Sequence, residues 1–244
     1  MLKSISLKYS DGKEYSFDFK LHRSLILYGA RALDILYSLE AILTSELGSN
    51  ISTKDQVYQI NYSNISDIHL QFTNGSFAIM SSGALIQRGN RPIVHTIRYS
   101  GKGNIRSYDF TARNVDSSID NNLFEYSSAL TEVQWLRFIS AVNLFLDFNF
   151  VELVDNELVF RMNEATEFTE EECRFVYMLF GEIFLTKNKN QILLLSDIEF
   201  MTKEHQIKLI SFLTNILRVE FLVSAMNIDY SDINKTNNIP VVNT

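Results

Sequence analysis

Apolar residues occur along this chain in runs of two kinds, and each kind predicts a different sort of strand. Runs in which apolar and polar residues alternate, as at 5–9, are typical of strands that bury one face. Other runs, at 25–28, 192–195 and 221–224, are almost continuously apolar, which is typical of strands buried on both faces of a parallel sheet. The pattern therefore predicts an α/β fold with a mainly parallel core sheet and an antiparallel β-rich lobe.

The β-rich lobe is predicted from a series of alternating runs in the middle of the chain. Turn signals such as Asn74-Gly75 and Gly89-Asn90 separate these runs, so we expect a meander of about five strands. The runs cover 57–62, 68–72, 76–80, 93–99 and 105–110. A separate hairpin is predicted at 5–19, around the turn Ser10-Asp11-Gly12.

Amphipathic helices are predicted beside the continuous apolar strands. The first follows 25–28 and has apolar residues at helical spacing from Leu33 to Leu43; others are predicted over 131–146, 169–184 and 202–217.

The order of these elements predicts one domain and a tail. We expect a domain over 1–230, with its core at 1–50 and 130–230 and the β-rich lobe inserted at 55–115. The polar, Asn-rich end of the chain, 231–244, is expected to be flexible.

Composition limits the class of protein. With 46% apolar residues in 244, the chain can bury a large core. It has no apolar run long enough to span a bilayer and no signal-peptide pattern, and its single cysteine, Cys173, excludes an internal disulfide. A cytoplasmic location without membrane contact is therefore expected.

Charge is unevenly distributed. The formal net charge is −7, yet basic residues dominate the segment from Arg88 to Arg113, where Asp109 is the one acid. The basic residues of this segment are Arg88, Arg91, Arg98, Lys102, Arg106 and Arg113. Such segregation favours contact with a nucleic-acid backbone or an acidic partner. The alternative is a solvated hairpin whose charges point outward.

The segment from 24 to 43 has the frame of a nucleotide-binding P-loop without its chemistry. A working loop reads Gly, four variable residues, Gly, Lys, then Ser or Thr. Counted from Gly29, the second glycine position holds Asp34, the lysine position Ile35 and the hydroxyl position Leu36. Asp34 brings negative charge towards a polyphosphate, Ile35 cannot bond to one and Leu36 cannot hold Mg²⁺. An ordinary strand–turn–helix unit remains the alternative.

The second half of the chain resembles the ABC-type ATPase heads found in SMC proteins and in small ATPases of bacterial defence systems. The stretch ILLLSDIEF, 192–200, is similar to their Walker B strand. The resemblance places Ser196 at the Mg²⁺-binding acid and Asp197 at the catalytic glutamate. It also matches Gln206 to a glutamine of the next helix.

Two further motifs of this family are matched in order and altered. The stretch FTEEECRFVYMLF, 168–180, resembles the signature helix, in which Thr169 keeps the hydroxyl and Glu171 replaces a glycine. The stretch FLVSAMNIDY, 221–230, resembles the last core strand, with Met226 at the switch histidine. The resemblance therefore implies a P-loop NTPase-like (ABC/SMC head) fold and a pseudo-ATPase.

A narrower resemblance covers the C-terminal third. Its layout is similar to the accessory spacer-acquisition protein of type II-A CRISPR systems, a degenerate head that forms a ring tetramer around DNA ends. The matching parts are a lysine-rich turn at 187–189, the strand at 192–195 and Phe200-Met201-Thr202. The β-meander departs from this pattern.

The sequence thus predicts a non-catalytic head-like assembly module of a bacterial nucleic-acid-directed defence complex. Partners are expected to be further copies or other chains, joined through head-to-head faces, and DNA; no cofactor and no metal ion is expected. Leu33, Ile35 and Leu36 are candidates for a direct apolar contact at such a face, although helix periodicity buries some of them and favours a core position for Leu36 and Leu39. Two alternatives stay open: a DNA-end-binding protein of CRISPR adaptation, and a divergent ATPase that uses Arg31 and Asp197.

Overall fold

The computed structural model describes most of the helices and strands that the pattern predicts. It describes residues 2–19, 24–44, 51–52, 65–81, 84–89, 95–100, 105–109, 113–117, 130–154, 157–161, 166–186, 191–196, 198–219, 222–226 and 241–244. The helices are α1 (Ala32–Thr44), α2 (Glu132–Leu146), α3 (Glu170–Thr186) and α4 (Lys203–Asn215). The strands are β1 (Leu2–Tyr9), β2 (Glu14–Asp18), β3 (Ser24–Tyr28), β4 (Ile51–Ser52), β5 (Ile65–Phe72), β6 (Phe77–Ser81), β7 (Ala84–Arg88), β8 (His95–Ser100), β9 (Ile105–Asp109), β10 (Arg113–Ser117), β11 (Val151–Val154), β12 (Glu157–Phe160), β13 (Gln191–Ser196), β14 (Leu222–Met226) and β15 (Val241–Asn243).

The core sheet has the strand order β10-β9-β8-β13-β14-β3-β15. From β8 to β15 each neighbouring pair is parallel, whereas β9 and β10 extend the sheet as antiparallel strands. The three continuously apolar runs therefore form adjacent strands, β13, β14 and β3, as the sequence predicts. The expected combination of a mainly parallel core sheet and an antiparallel β-rich part is confirmed.

The antiparallel sheet has the order β2-β1-β5-β6-β7-β4, and its composition corrects the predicted division of the chain. The expected single meander is split: β5, β6 and β7 join the N-terminal hairpin, while β8, β9 and β10 join the core sheet. Residues 57–62 lie outside the described ranges. Alternation shows that a strand has one buried face, but the partner strand is chosen by contacts far away in the sequence.

The prediction of a flexible tail over 231–244 is wrong for its last residues, 241–243, which form a strand. Residues 231–240 lie outside the described part of the chain, but Val241–Asn243 form β15, which pairs in parallel with β3. The two valines are β-branched and suit a strand, and Val242 packs against the core beside β3.

Two apolar clusters lie on opposite faces of the core sheet. Leu193 and Leu195 belong to the cluster that α2, α3 and α4 cover. Ile192 and Leu194 belong to the other, with α1 and the antiparallel sheet. Burial on both faces explains why β13 is continuously apolar. Among the described helices, none is long and apolar enough to cross a membrane.

Candidate functional site

The turn between β3 and α1 is short and closed. Strand β3 ends at Tyr28 and α1 begins at Ala32, so only residues 29–31 connect them. The Ala32 amide donates to the Gly29 carbonyl at 3.3 Å, and the Ile35 amide donates to the Arg31 carbonyl at 3.2 Å. Gly29 has φ of +101°, a conformation that favours glycine. From Ala32 onward, the positions compared with a P-loop are helical.

Two side chains that the P-loop comparison sets against a lysine and a hydroxyl, those of Ile35 and Leu36, lie in the core. Ile35 and Leu36 are fully buried in the cluster that also contains Leu25 and Leu27. The suggestion that Ile35 forms an external apolar contact is therefore wrong, and the preference for a core position of Leu36 is confirmed, since both residues pack in the cluster between α1 and the core sheet. Leu33 is half-buried.

Asp34 lies in the first turn of α1, where a carboxylate interacts favourably with the helix dipole. Burial raises the pKa of Asp34, and the nearby charge of Arg31 opposes this rise. A negative charge at this place disfavours a polyphosphate.

Arg31 is committed to the N-terminal hairpin. Its guanidinium forms an ion pair with Asp11, in the turn between β1 and β2, and lies 4.5 Å from the ring centroid of Tyr9. The hydrogen bond from Arg31, together with the backbone amide of Lys13, lowers the pKa of Asp11 to about 2. Arg31 therefore ties the turn to the antiparallel sheet. The ion pair uses Nη2, whereas Nη1 is buried and has no hydrogen-bond partner in the described part of the chain.

The Walker B and switch positions lie at the same edge of the core sheet as this turn. Strand β13 ends at Ser196, β14 ends at Met226, and Met226 is the register partner of Tyr28. Because carboxyl ends of parallel strands meet at one edge, these positions approach the Gly29 turn. Asp197 lies outside the described residues.

Gln206, matched to a glutamine of ATPase heads, has a structural role in this chain. It is buried, and its side-chain amide donates to the Ile198 carbonyl at 3.0 Å and to the Met201 carbonyl at 2.8 Å. These bonds hold the turn that precedes α4, so its amide hydrogens are used within the protein.

The signature position forms the capped N-terminus of α3. The Thr169 hydroxyl accepts from the Glu172 amide at 3.2 Å, and the Glu172 carboxylate accepts from the Thr169 amide at 2.7 Å. This reciprocal arrangement is a capping box. Glu171 is exposed, and Glu170 pairs with Arg174 at 2.6 Å. The first helical turn therefore carries three consecutive acids, Glu170, Glu171 and Glu172.

Glu172 also joins α3 to α4. It is 1% exposed, and its other carboxylate oxygen lies 2.7 Å from Nδ1 of His205. The His205 ring stacks on Phe168 with centroids 4.2 Å apart, and its amide donates to the hydroxyl of Thr202, the N-cap of α4. Sequence reasoning missed His205, because 33 residues separate it from Glu172. The spacing of Thr169 and Glu172 was the readable signal of a cap.

The basic residues do not form a single row. Arg98 on β8 and Arg106 on β9 are direct register partners, and Asp116 is the partner of Arg106 on β10. Arg113 is the register partner of Asp109. Because residues of a strand alternate between faces, Asp109 and Arg113 belong to the face of the sheet opposite to that of Arg106. Arg88 belongs to the antiparallel sheet, and Arg91 and Lys102 lie outside the described ranges.

Within the described part of the chain, no group of three or more His, Cys, Asp or Glu side chains could hold a metal ion. Cys173 is buried, and burial raises the pKa of its thiol to about 12, with Glu172 and Glu170 adding to the rise. A reactive thiolate is therefore disfavoured.

Comparisons with known proteins give similarity at the level of structure. No protein-family model matches the sequence, and no curated protein matches it. The chain is similar to an SMC head domain from Thermotoga maritima, at 14% identity over 99% of this chain and 94% of that one, with a TM-score of 0.48. It is also similar to an SMC head bound to the C-winged helix domain of ScpA, at 10% identity over 93% of this chain and 90% of that one, with a TM-score of 0.45.

Proposed function

We propose that this protein is a P-loop NTPase-like head that has lost nucleotide chemistry and works as an assembly module. The observation that carries the proposal is the turn of residues 29–31. It is too short to surround a phosphate, and the residues that follow are built into α1. Backbone amides arranged around the phosphates supply much of a P-loop's affinity. The turn still contains one basic residue, Arg31, but its guanidinium is paired with Asp11.

The acidic start of α3 supports the same proposal. In an intact head, the signature glycine lies against the γ-phosphate bound by a partner head. Here Glu170 and Glu171 occupy the exposed first turn, and Glu172 is already bonded to Thr169 and His205. Like charges at this place repel a polyphosphate. Head-to-head contact of such chains then needs no nucleotide.

The experiment that tests the proposal is a titration of Mg-ATP followed by two readouts. Calorimetry is expected to give no micromolar binding, and sedimentation velocity is expected to give the same mass with and without Mg-ATP. A known ATP-binding head measured in the same buffer serves as the positive control. Turnover that Asp197→Asn abolishes would instead support the divergent ATPase.

The finer part of the proposal is a role in a bacterial nucleic-acid-directed defence complex, with DNA or a protein as partner; DNA-end binding in CRISPR adaptation is the alternative. The register pair of Arg98 and Arg106 favours an anionic partner. Their register places two basic residues at neighbouring positions of the sheet, next to Asp116 on β10.

A salt series measures this contact. If Arg98 and Arg106 bind phosphates of duplex DNA, the logarithm of the affinity should fall linearly with log salt, by about 0.9 per phosphate contacted. The double change to Gln is expected to weaken binding to every sequence alike, because phosphate contacts do not specify sequence. Arg113→Gln, on the other face, is the matched control and should change little. The DNA proposal fails if linear duplex, circular duplex and single strands all remain unbound at micromolar protein.

A further inference from the structure

The described residues nearest the end of the chain lie against the Gly29 turn. Strand β15 is short and forms the edge of the core sheet, where Val241, Val242 and Asn243 are register partners of Ile26, Leu27 and Tyr28. Its neighbour β3 is the strand that leads into the turn. A segment at this edge therefore lies beside the place where a P-loop would meet its ligand.

Residue 244 continues the contact past the strand. The amide of Thr244 donates to the Tyr28 carbonyl at 2.8 Å, and its hydroxyl donates to the same oxygen at 3.0 Å. Val242 packs against the cluster that includes Leu27. The segment is thus held by main-chain hydrogen bonds, by one hydroxyl and by one apolar side chain. When an extended peptide adds to a sheet, main-chain hydrogen bonds supply affinity and side-chain contacts supply specificity.

Two features favour glycine at position 29. One is its positive φ of +101°, and the other is the close approach of residues 243 and 244. A Cβ atom at Gly29 would lie 2.7 Å from Oδ1 of Asn243 and 2.9 Å from the Thr244 carbonyl oxygen. Gly75 has a similar positive φ, +83°, yet a Cβ there would meet nothing within 4 Å. The absence of a side chain at Gly29 therefore leaves room for the side-chain oxygen of Asn243 and the backbone of Thr244.

We propose that the edge of β3 beside the Gly29 turn is a strand-binding site, which residues 241–244 of the same chain fill as a latch. The turn, which faces phosphates in an intact P-loop, faces a peptide here. The site takes an extended segment with an apolar residue at the Val242 position, a small polar residue against Gly29, and a hydroxyl that reaches the Tyr28 carbonyl. This inference goes beyond the proposed assembly role and does not depend on it.

The latch has a consequence for any partner of this edge. A ligand at the turn, or a strand added to β3, must first displace residues 241–244. Its apparent affinity is then reduced by the fraction of molecules in which the latch is open. Weakening the latch should therefore strengthen binding at this edge.

Hydrogen exchange in the full chain tests the close approach. Gly29→Ala is expected to increase exchange at residues 241–244 by about tenfold or more, because the added Cβ displaces the segment and its hydrogen bonds. Gly75→Ala adds the same methyl at a positive φ without a clash, so it should leave exchange at 241–244 unchanged. Equal exchange in the two variants would overturn the proposal.

Peptide binding tests the site itself. Val242→Asp places a charge against the apolar cluster and should release the segment without altering β3 or the turn. A labelled peptide Ile-Pro-Val-Val-Asn-Thr is expected to bind this variant at least tenfold more tightly than the unmodified chain, as measured by fluorescence anisotropy. Equal affinity for both proteins would contradict a site that is filled in the same chain.

A cysteine pair distinguishes the chain's own segment from that of a second copy. Tyr28 and Asn243 are register partners, so Tyr28→Cys and Asn243→Cys in one chain should form an internal disulfide and leave a monomer on a non-reducing gel. Chains with one of these changes each, when mixed, should not cross-link. Cross-linking of the mixed chains would show that a second copy supplies the strand, and it would overturn the latch.

Discussion

Replacing Ile35 by lysine, the residue type of an intact P-loop, is expected to destabilise the fold and to give no nucleotide binding. Ile35 is fully buried in the cluster between α1, the core sheet and the antiparallel sheet. A lysine there leaves an unpaired charge in an apolar site, which costs roughly 3–5 kcal/mol. Since domains are stable by about 5–15 kcal/mol, this is a large fraction of the total.

Urea denaturation measures this cost, and Mg-ATP calorimetry on the folded variant measures binding. Leu33→Lys is the matched control, because Leu33 lies in the same helix and is half-buried, so a lysine can extend its ammonium to water. We expect a change below about 1 kcal/mol for that control. A variant at position 35 that is as stable as the unmodified chain and binds Mg-ATP would refute the reading of this turn.

The sequence predicts the core sheet well, because a strand that is buried on both faces is a continuous run of apolar residues. Strands β3, β13 and β14 are continuously apolar, and they are neighbours in the structure. The outer strands carry less information, since alternation marks a buried face without naming the partner. That is why the meander was expected as one lobe, although β8 pairs in parallel with β13.

The pairing of β15 with β3 and the contact between Glu172 and His205 could not be predicted from the sequence. Strand β15 has two apolar residues in a polar segment, and its place depends on the open edge of β3 and on the absence of a side chain at Gly29. Likewise, the spacing of Thr169 and Glu172 predicts a helix cap, but the pairing with His205 depends on how α3 and α4 pack.

The positions compared with a P-loop could be named from the motif, and the structure places two of them, Ile35 and Leu36, in the core. The sequence also offered signals for an early helix start, because Ala32 and Leu33 are good helix formers and Asp34 suits a first turn. The pairing of Arg31 with Asp11 was not predictable, since it depends on how the N-terminal hairpin lies on the core.

Removing the Glu172 carboxylate is expected to cost about 3 kcal/mol of folding stability. Glu172 is the third residue of α3 and His205 is the third residue of α4, so each follows the N-cap threonine of its own helix by three positions. The carboxylate therefore lies close to the positive ends of two helix dipoles, which favour its negative charge. Glu172→Ala leaves the Thr169 amide and the His205 ring without their acceptor in a buried site.

A double-mutant cycle separates the pair from its surroundings. His205→Ala alone leaves a buried carboxylate with one partner fewer, and the cycle with Glu172→Ala is expected to give a coupling of about 1–3 kcal/mol. The measurement is the free energy of unfolding in urea for the four proteins. Glu172→Gln, which keeps an acceptor oxygen for the Thr169 amide, should cost less than Glu172→Ala.

Glu171→Ala is the matched control for the helix itself. Glu171 lies in the same first turn and is exposed, so its loss removes a favourable charge–dipole contact and no buried bond. We expect a cost of about 0.5 kcal/mol or less. If Glu172→Ala costs no more than Glu171→Ala, the bond between α3 and α4 is not what stabilises this junction. A large difference with strong coupling instead assigns Glu172 a structural role, which is to join α3 and α4.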